Sequence, residues 1–244
     1  MSHWAWLVAA AFIGGAINSV AGGGSFLTFP ALLFAGVPAI PANATNNTAM
    51  WLGGVASARG YREEIRTYRA VIVPAIVVSL IGSVGGAMLL LHTPPKIFER
   101  MIPWLLLFAT VVFALSPLIT RTHKPKDVHS PWQLGAQFLV AIYGGYFGAG
   151  MGIMMLAILT FSALPSMNAM NGVKNLLSIV INGIAVVPFV IAGVVVWPVM
   201  LLMAVFSIAG GYFGARFFRR VPSHITRIIV LGIGAGMSAY FFAR

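Results

Sequence analysis

No cysteine occurs in the 244 residues, which excludes disulfides, thiolate metal sites and cysteine nucleophiles. Acid is almost as scarce. Asp and Glu together number 4 against 15 Lys and Arg, and Glu63, Glu64, Glu99 and Asp127 all fall in polar links between apolar runs. The apolar segments therefore lack the carboxylates that a metal or cation site, or a carboxylate-based proton relay, needs. The histidines (His3, His92, His123, His129 and His224) lie at ends or in links, without the spacing of a metal-binding helix. Gly22-Gly23-Gly24-Ser25 is not a phosphate loop, because no Gly-Lys-Ser/Thr follows it. An enzyme is not indicated, and no catalytic residue, metal ligand or cofactor site is assigned.

What the chain has instead is apolar length. It is 59% hydrophobic and 8% charged, with mean hydropathy +0.94, well outside the range of soluble domains. Stretches such as Val71–Leu91, Ile102–Ile119, Leu176–Val196 and Trp197–Phe213 are about long enough to cross a hydrocarbon core of ~30 Å. Met1-Ser2-His3 carries no Lys or Arg ahead of the first apolar run, so that run reads as a retained helix, not a signal peptide. Net charge is +11. The basic residues sit mainly in short links, where they orient spans in a bilayer, and do not form a nucleic-acid surface.

A pattern recurs 128 positions apart. Gly22 and Gly24 followed by Asn43 and Asn47 fall on Gly150 and Gly152 followed by Asn171 and Asn175, and Asn46 is replaced by Lys174. Pro74 with Gly85-Gly86 is matched by Pro198 with Gly210-Gly211. These matches divide the chain into a membrane repeat at 1–119, a basic link at 120–131 and a second repeat at 132–244. The link after the third segment of repeat one contains Arg59, Arg62, Arg66 and Arg69, whereas its counterpart Ala192–Val196 is uncharged. Positive-inside bias places the first link, and Thr120–Pro131, in the cytoplasm and the second outside. The repeats are then inverted, with both chain ends outside. Pieces 25–36 and 151–163 would rise only ~18–20 Å at 1.5 Å per residue, too short to span. The expected fold is an all-α polytopic membrane protein with two inverted-topology repeats, about eight transmembrane helices and two re-entrant half-helices; ten helical pieces are expected.

Duplicated helix breaks in a membrane protein point to a binding site at the repeat interface. Lys174 is the sharpest residue there. An ionised Lys at mid-helix costs about 2.5–3.5 kcal/mol on insertion scales, and an anion would supply countercharge. The alternative is a Lys near the helix end that snorkels to headgroups. Gly22, Gly23, Gly24, Gly150 and Gly152 would let backbone N–H groups at the half-helix starts face an anion, with Ser25 adding a hydroxyl; tight helix packing is the other use of such glycines. Asn43, Thr45, Asn46, Asn47, Asn171 and Asn175 offer uncharged donors, or else cap helices and bond between them. Asn18 and Asn182 are read as structural.

The motifs Ala21-Gly-Gly-Gly-Ser-Phe-Leu-Thr-Phe-Pro30, Ala42-Asn-Ala-Thr-Asn46 and Ser57-Ala-Arg-Gly-Tyr-Arg62 resemble those of the TauE/SafE family of sulfite and organosulfonate exporters. The resemblance covers essentially the whole chain; its motif positions are Gly22, Gly23, Gly24, Pro30, Thr45 and Asn46, and Val173 stands where the second copy would need Thr. It implies a bacterial or archaeal cytoplasmic-membrane exporter of a small sulfur-containing anion, such as sulfite or sulfoacetate. The partners would be that anion and the bilayer, with a homodimer left open. The competing readings are a passive anion channel and a non-transport membrane scaffold.

Overall fold

The computed structural model describes residues 2–20, 22–68, 72–120, 130–162, 164–217 and 223–243. Those residues form eleven α-helices and no strand. In chain order they are α1 (Ser2–Val20), α2 (Ser25–Phe34), α3 (Ala39–Gly60), α4 (Arg62–Tyr68), α5 (Val73–His92), α6 (Pro95–Thr120), α7 (Pro131–Tyr146), α8 (Met151–Leu159), α9 (Met167–Ile191), α10 (Trp197–Phe217) and α11 (Ser223–Ala243). Among the described residues, α5, α9 and α10 are long and apolar enough to cross a membrane. Ile81, Leu139, Leu201 and Val205 point outward and are more than half exposed, as a lipid-facing surface requires.

The helix limits follow from local chemistry. Proline opens α5 and α7 in their first turns, where its missing N–H costs no bond. Gly36 ends α2 and Gly193 ends α9 with positive φ, and both form the paired bonds of a Schellman cap: Val37 N–H to Leu32 C=O with Gly36 N–H to Leu33 C=O, and Val194 to Phe189 with Gly193 to Val190. The half-helices expected at 25–36 and 151–163 are shorter, 10 and 9 residues, because glycine caps α2 and a turn at Thr160–Phe161 ends α8. They rise only ~15 Å each. The eleventh helix, against ten expected, is α4: the link after α3 is itself helical. The basic link at 121–129 and the link at 218–222 lie outside the described residues.

Packing exchanges partners between the two halves. α1 lies against α10, and α7 lies against α5; α10 also packs on α3, and α5 on α9. α2 meets α3 as α8 meets α9, and α11 meets α2 as α8 meets α6. Close approach depends on small residues. A methyl on Gly82 would lie 2.7 Å from the Phe138 carbonyl oxygen, Gly86 abuts the backbone of α7, and Gly210 and Gly211 abut Phe12 and Gly53. Gly85, Gly232 and Gly236 face open space instead.

Candidate functional site

The two helix breaks touch. Gly22 and Gly150, 128 positions apart, have φ of +80 and +79°, a left-handed geometry that glycine alone adopts without strain. A Cβ on Gly22 would lie 2.6 Å from the Gly152 Cα, and one on Gly152 would lie 2.7 Å from the Gly22 Cα. Backbone meets backbone there, so a side chain at either position is excluded. Gly24 serves packing, because it abuts the Gly14 carbonyl of α1. Gly150 faces Phe26 and Ala109. Gly23 and Ser25 are buried beside them at the start of α2.

From these breaks the two asparagine motifs run along α3 and α9, which pack directly on each other. Asn43 and Asn171 are each the fifth residue of their helix. They are therefore not N-caps; Ser166 caps α9 by accepting from the Ala169 N–H at 3.1 Å, and Pro38 precedes α3. The amides instead bond between elements. Asn43 Nδ2 donates to the Tyr146 carbonyl at 2.9 Å. Thr28 Oγ1, on half-helix α2, donates to Asn46 Oδ1 at 2.5 Å. Asn47 lies beside the backbone of Gly148, whose φ is +77°.

Lys174 is 1% exposed, so it does not snorkel. Its Nζ donates to the Asn18 carbonyl at 2.9 Å and the Ser19 carbonyl at 3.3 Å, and Asn175 Nδ2 reaches the Ser19 carbonyl at 3.4 Å. Both carbonyls belong to the last turn of α1, among the groups a helix leaves unbonded and at the negative end of its dipole. Countercharge for the ammonium thus comes from a helix end of the other half. Asn18 and Tyr146 are themselves 128 positions apart: in each half the third helix holds the matching carbonyl of the other half's first helix.

Hydrogen bonding is incomplete in this region. Asn43 Oδ1, Asn46 Nδ2, Asn47 Nδ2 and Asn171 Oδ1 are buried without a hydrogen-bond partner. Leaving such a group unsatisfied costs about 1–3 kcal/mol, and four of them lie along the two packed helices α3 and α9. The two Nδ2 groups are donors that would take oxyanion oxygens. The Thr45 hydroxyl accepts from the Val196 N–H at 3.0 Å, tying α3 to the turn between α9 and α10, and keeps its own O–H as a donor.

The sequence reading passed over a second polar group. Gln133 and Gln137 of α7 are buried, each 3% exposed; Gln137 Nε2 donates to Ser79 of α5 at 2.9 Å and Gln133 Nε2 to Ser162 at 3.5 Å. Two glutamines one turn apart in an apolar helix were the available signal. Asn182 Oδ1 and Trp51 Nε1 are also buried without partners.

A sequence profile described as sulfite exporter TauE/SafE matches residues 7–241. A probable membrane transporter protein, ORF9, of Sinorhizobium sp is 31% identical over 242 residues, covering 98% of this chain and 92% of that protein. The probable membrane transporter protein YfcA of Escherichia coli K12 is 29% identical, with 94% and 86% covered. One from Haemophilus influenzae is 30% identical, with 93% and 90% covered. No solved structure matches the chain. Touching helix breaks, a buried cation and unspent amides within apolar helices thus accompany a family match along nearly the whole sequence: the chain is a membrane transporter and belongs to the sulfite exporter TauE/SafE family.

Proposed function

We propose that this chain exports a small sulfur-containing oxyanion, sulfite or a short organosulfonate, across the bacterial cytoplasmic membrane, with the anion held where α3 and α9 meet beneath the glycine breaks. The observation that carries this reading is the set of buried, unpartnered asparagine atoms on α3 and α9, next to a lysine whose Nζ is held only by carbonyl groups among the described residues. The Nδ2 groups of Asn46 and Asn47 orient oxygens. Lys174 trades the α1 carbonyls for the anion, which exchanges dipole countercharge for full charge. Because those carbonyls belong to the first half and Lys174 to the second, anion binding loosens one tether between the halves. That is the form of coupling that lets one unit rock against the other.

The halves, 1–119 and 132–244, are inverted repeats in this proposal, with the segment around α4 cytoplasmic and both ends outside. The exchanged packing of α1–α10 with α7–α5 supports the pairing, as do the matching φ values of Gly22 and Gly150. The test is counterflow of labelled sulfite into liposomes containing the purified chain, with sulfoacetate, sulfate and chloride as competitors. Saturable counterflow that sulfate and chloride do not match is expected. Flux without saturation or counterflow would make the protein a channel, and no flux of any sulfur oxyanion would end the proposal.

A further inference from the structure

Exposed arginines gather at one end of the fold. There the end of α3 reaches the end of α10, and a Cβ on Gly60 would lie 2.7 Å from the Ala215 Cβ. Arg59 and Arg216 adjoin that contact in sequence, and both are exposed. Arg62 and Arg66 follow on α4, exposed and one turn apart, so they share a helix face. Like charges at that spacing repel. Two acids accompany them. Glu64 lies against α9, where a methyl on Gly172 would meet its Cβ at 2.8 Å, which leaves Glu63 as the exposed acid. Arg216 Nη1 donates to the Tyr212 hydroxyl at 3.1 Å, a bond that uses one of the five guanidinium N–H groups.

Aromatic rings lie beside these charges. Tyr212, Phe213 and Phe217 are 41, 46 and 58% exposed, and Phe213 stacks on Phe217 at 5.8 Å. At the far end of α10 the exposed aromatics are tryptophans: Trp197, with Trp4 and Trp6 of the neighbouring α1. Helices α1 and α10 run in the same direction, since Phe12 meets Gly210 and Ser19 meets Gly214. From Trp197 to Arg216, α10 rises ~28 Å at 1.5 Å per residue, close to the ~30 Å of a hydrocarbon core. The tryptophan rim and the arginine rim therefore fit the two headgroup levels of one bilayer.

We propose that the arginine rim of α3, α4 and α10 binds the phosphate headgroup of an anionic phospholipid. Guanidinium groups match phosphate oxygens in charge and in paired N–H geometry, and a bound phosphate offsets the repulsion between Arg62 and Arg66. The acyl chains lie along Phe213 and Phe217. Those rings identify the source of the phosphate: a free phosphate ion gains nothing from exposed phenylalanines, whereas a lipid buries them. The site is independent of the cargo, so a chain that moves no sulfite would still bind the lipid.

The experiment melts the detergent-purified chain during titration with dioleoyl phosphatidylglycerol, with dioleoyl phosphatidylcholine and inorganic phosphate as separate arms. Expected is a saturable rise in melting temperature with phosphatidylglycerol. Phosphatidylcholine, which has the same acyl chains, should give less than about half that rise, and phosphate at equal concentration should give none. Combining Arg62→Gln, Arg66→Gln and Arg216→Gln should raise the half-saturating concentration about fivefold or more, and Arg66→Gln alone about twofold. Glu63→Gln should lower it about twofold, an improvement that a folding defect cannot imitate. Lys96→Gln with Arg100→Gln changes exposed charge at the opposite end, where Tyr146 meets Thr93 and the start of α3, and should leave the value unchanged. Equal rises with the two lipids, or a rise with phosphate that matches the lipid, would overturn the site. So would native affinity in the triple variant, no gain in Glu63→Gln, or an equal loss in the Lys96 and Arg100 variant.

Discussion

The two halves use one scaffold for unlike chemistry. Each breaks its chain at a left-handed glycine, starts a half-helix there and sends a fifth-position asparagine along the next helix. In the first half the bonds around that asparagine motif are neutral: Thr28 to Asn46, Asn43 to the end of α7 and Val196 to Thr45. In the second half one lysine replaces the asparagine and reaches the end of α1. Position 156, matching Thr28, is leucine. The two halves thus share the glycines and the helix-end contacts and differ in the side chains beside them. Under the proposed anion export, one charge would suffice for selection, and a second lysine facing the first would repel it.

The largest effect should come from sidedness, which tests the inversion itself. The chain has no cysteine, so single cysteines can be placed without background. Glu63→Cys in α4 and Ala192→Cys at the end of α9 are exposed sites at matching ends of the two halves. A membrane-impermeant maleimide added to intact cells should label the second and spare the first until the membrane is opened. Equal labelling of both in intact cells would make the halves parallel.

Next in size is the contact between the breaks. Gly22→Ala combines a methyl 2.6 Å from Gly152 with φ +80°, a cost of about 3 kcal/mol, and should sharply reduce the yield of monodisperse protein. Gly36→Ala has the same kind of φ in open space and should cost about 1 kcal/mol. Similar melting temperatures for the two variants would show that the breaks do not bear on each other.

Loss of charge follows. Lys174→Gln removes a charged donor worth about 1.5–3 kcal/mol and should lower sulfite counterflow about 10–100-fold with folding kept. Normal transport would end the charge-recognition idea. Exchanging the pair, Asn46→Lys with Lys174→Asn, sharpens the comparison between halves. Recovery should stay below about a tenth of native flux, since the Tyr146 carbonyl that matches Asn18 already accepts from Asn43. Full recovery would make the halves interchangeable.

Much of this was legible in the sequence, and the reasons are local. Glycines and asparagines at fixed spacing announce breaks and polar helix faces because few residues adopt positive φ or survive unpaired in apolar segments. The limits of α2, α5 and α7 could be read from Pro and Gly. The partner of Lys174 could not: its countercharge is a pair of backbone carbonyls 156 and 155 residues away, and carbonyls carry no sequence signature. The partner of Thr45 was hidden for a similar reason. A threonine in a polar cluster looks like part of the cluster, yet its hydroxyl bonds a backbone N–H contributed by the α9–α10 turn. Gln133 and Gln137 were visible but lay outside the duplicated motif, where attention to repetition hides what one half has alone.

The smallest effect should come from Thr28→Val, which isolates what the first half adds without charge. Thr28 Oγ1 is fully buried and donates to Asn46 Oδ1. That bond fixes the Asn46 amide and leaves its Nδ2 as a donor with no partner. Valine fills the same volume, so packing is kept and only the hydroxyl is lost. Asn46 then gains a free oxygen and a rotatable amide, and its donor is no longer aimed. One neutral hydrogen bond is worth about 0.5–1.5 kcal/mol, so the KM for sulfite should rise about 2–10-fold, with maximal flux little changed, because orientation of a donor affects capture more than the later rocking step. A drop in maximal flux with unchanged KM would mean that Thr28 sets the motion of the half-helix instead. An unchanged KM and flux would place ligand recognition in the second half alone, with the first half reduced to scaffold.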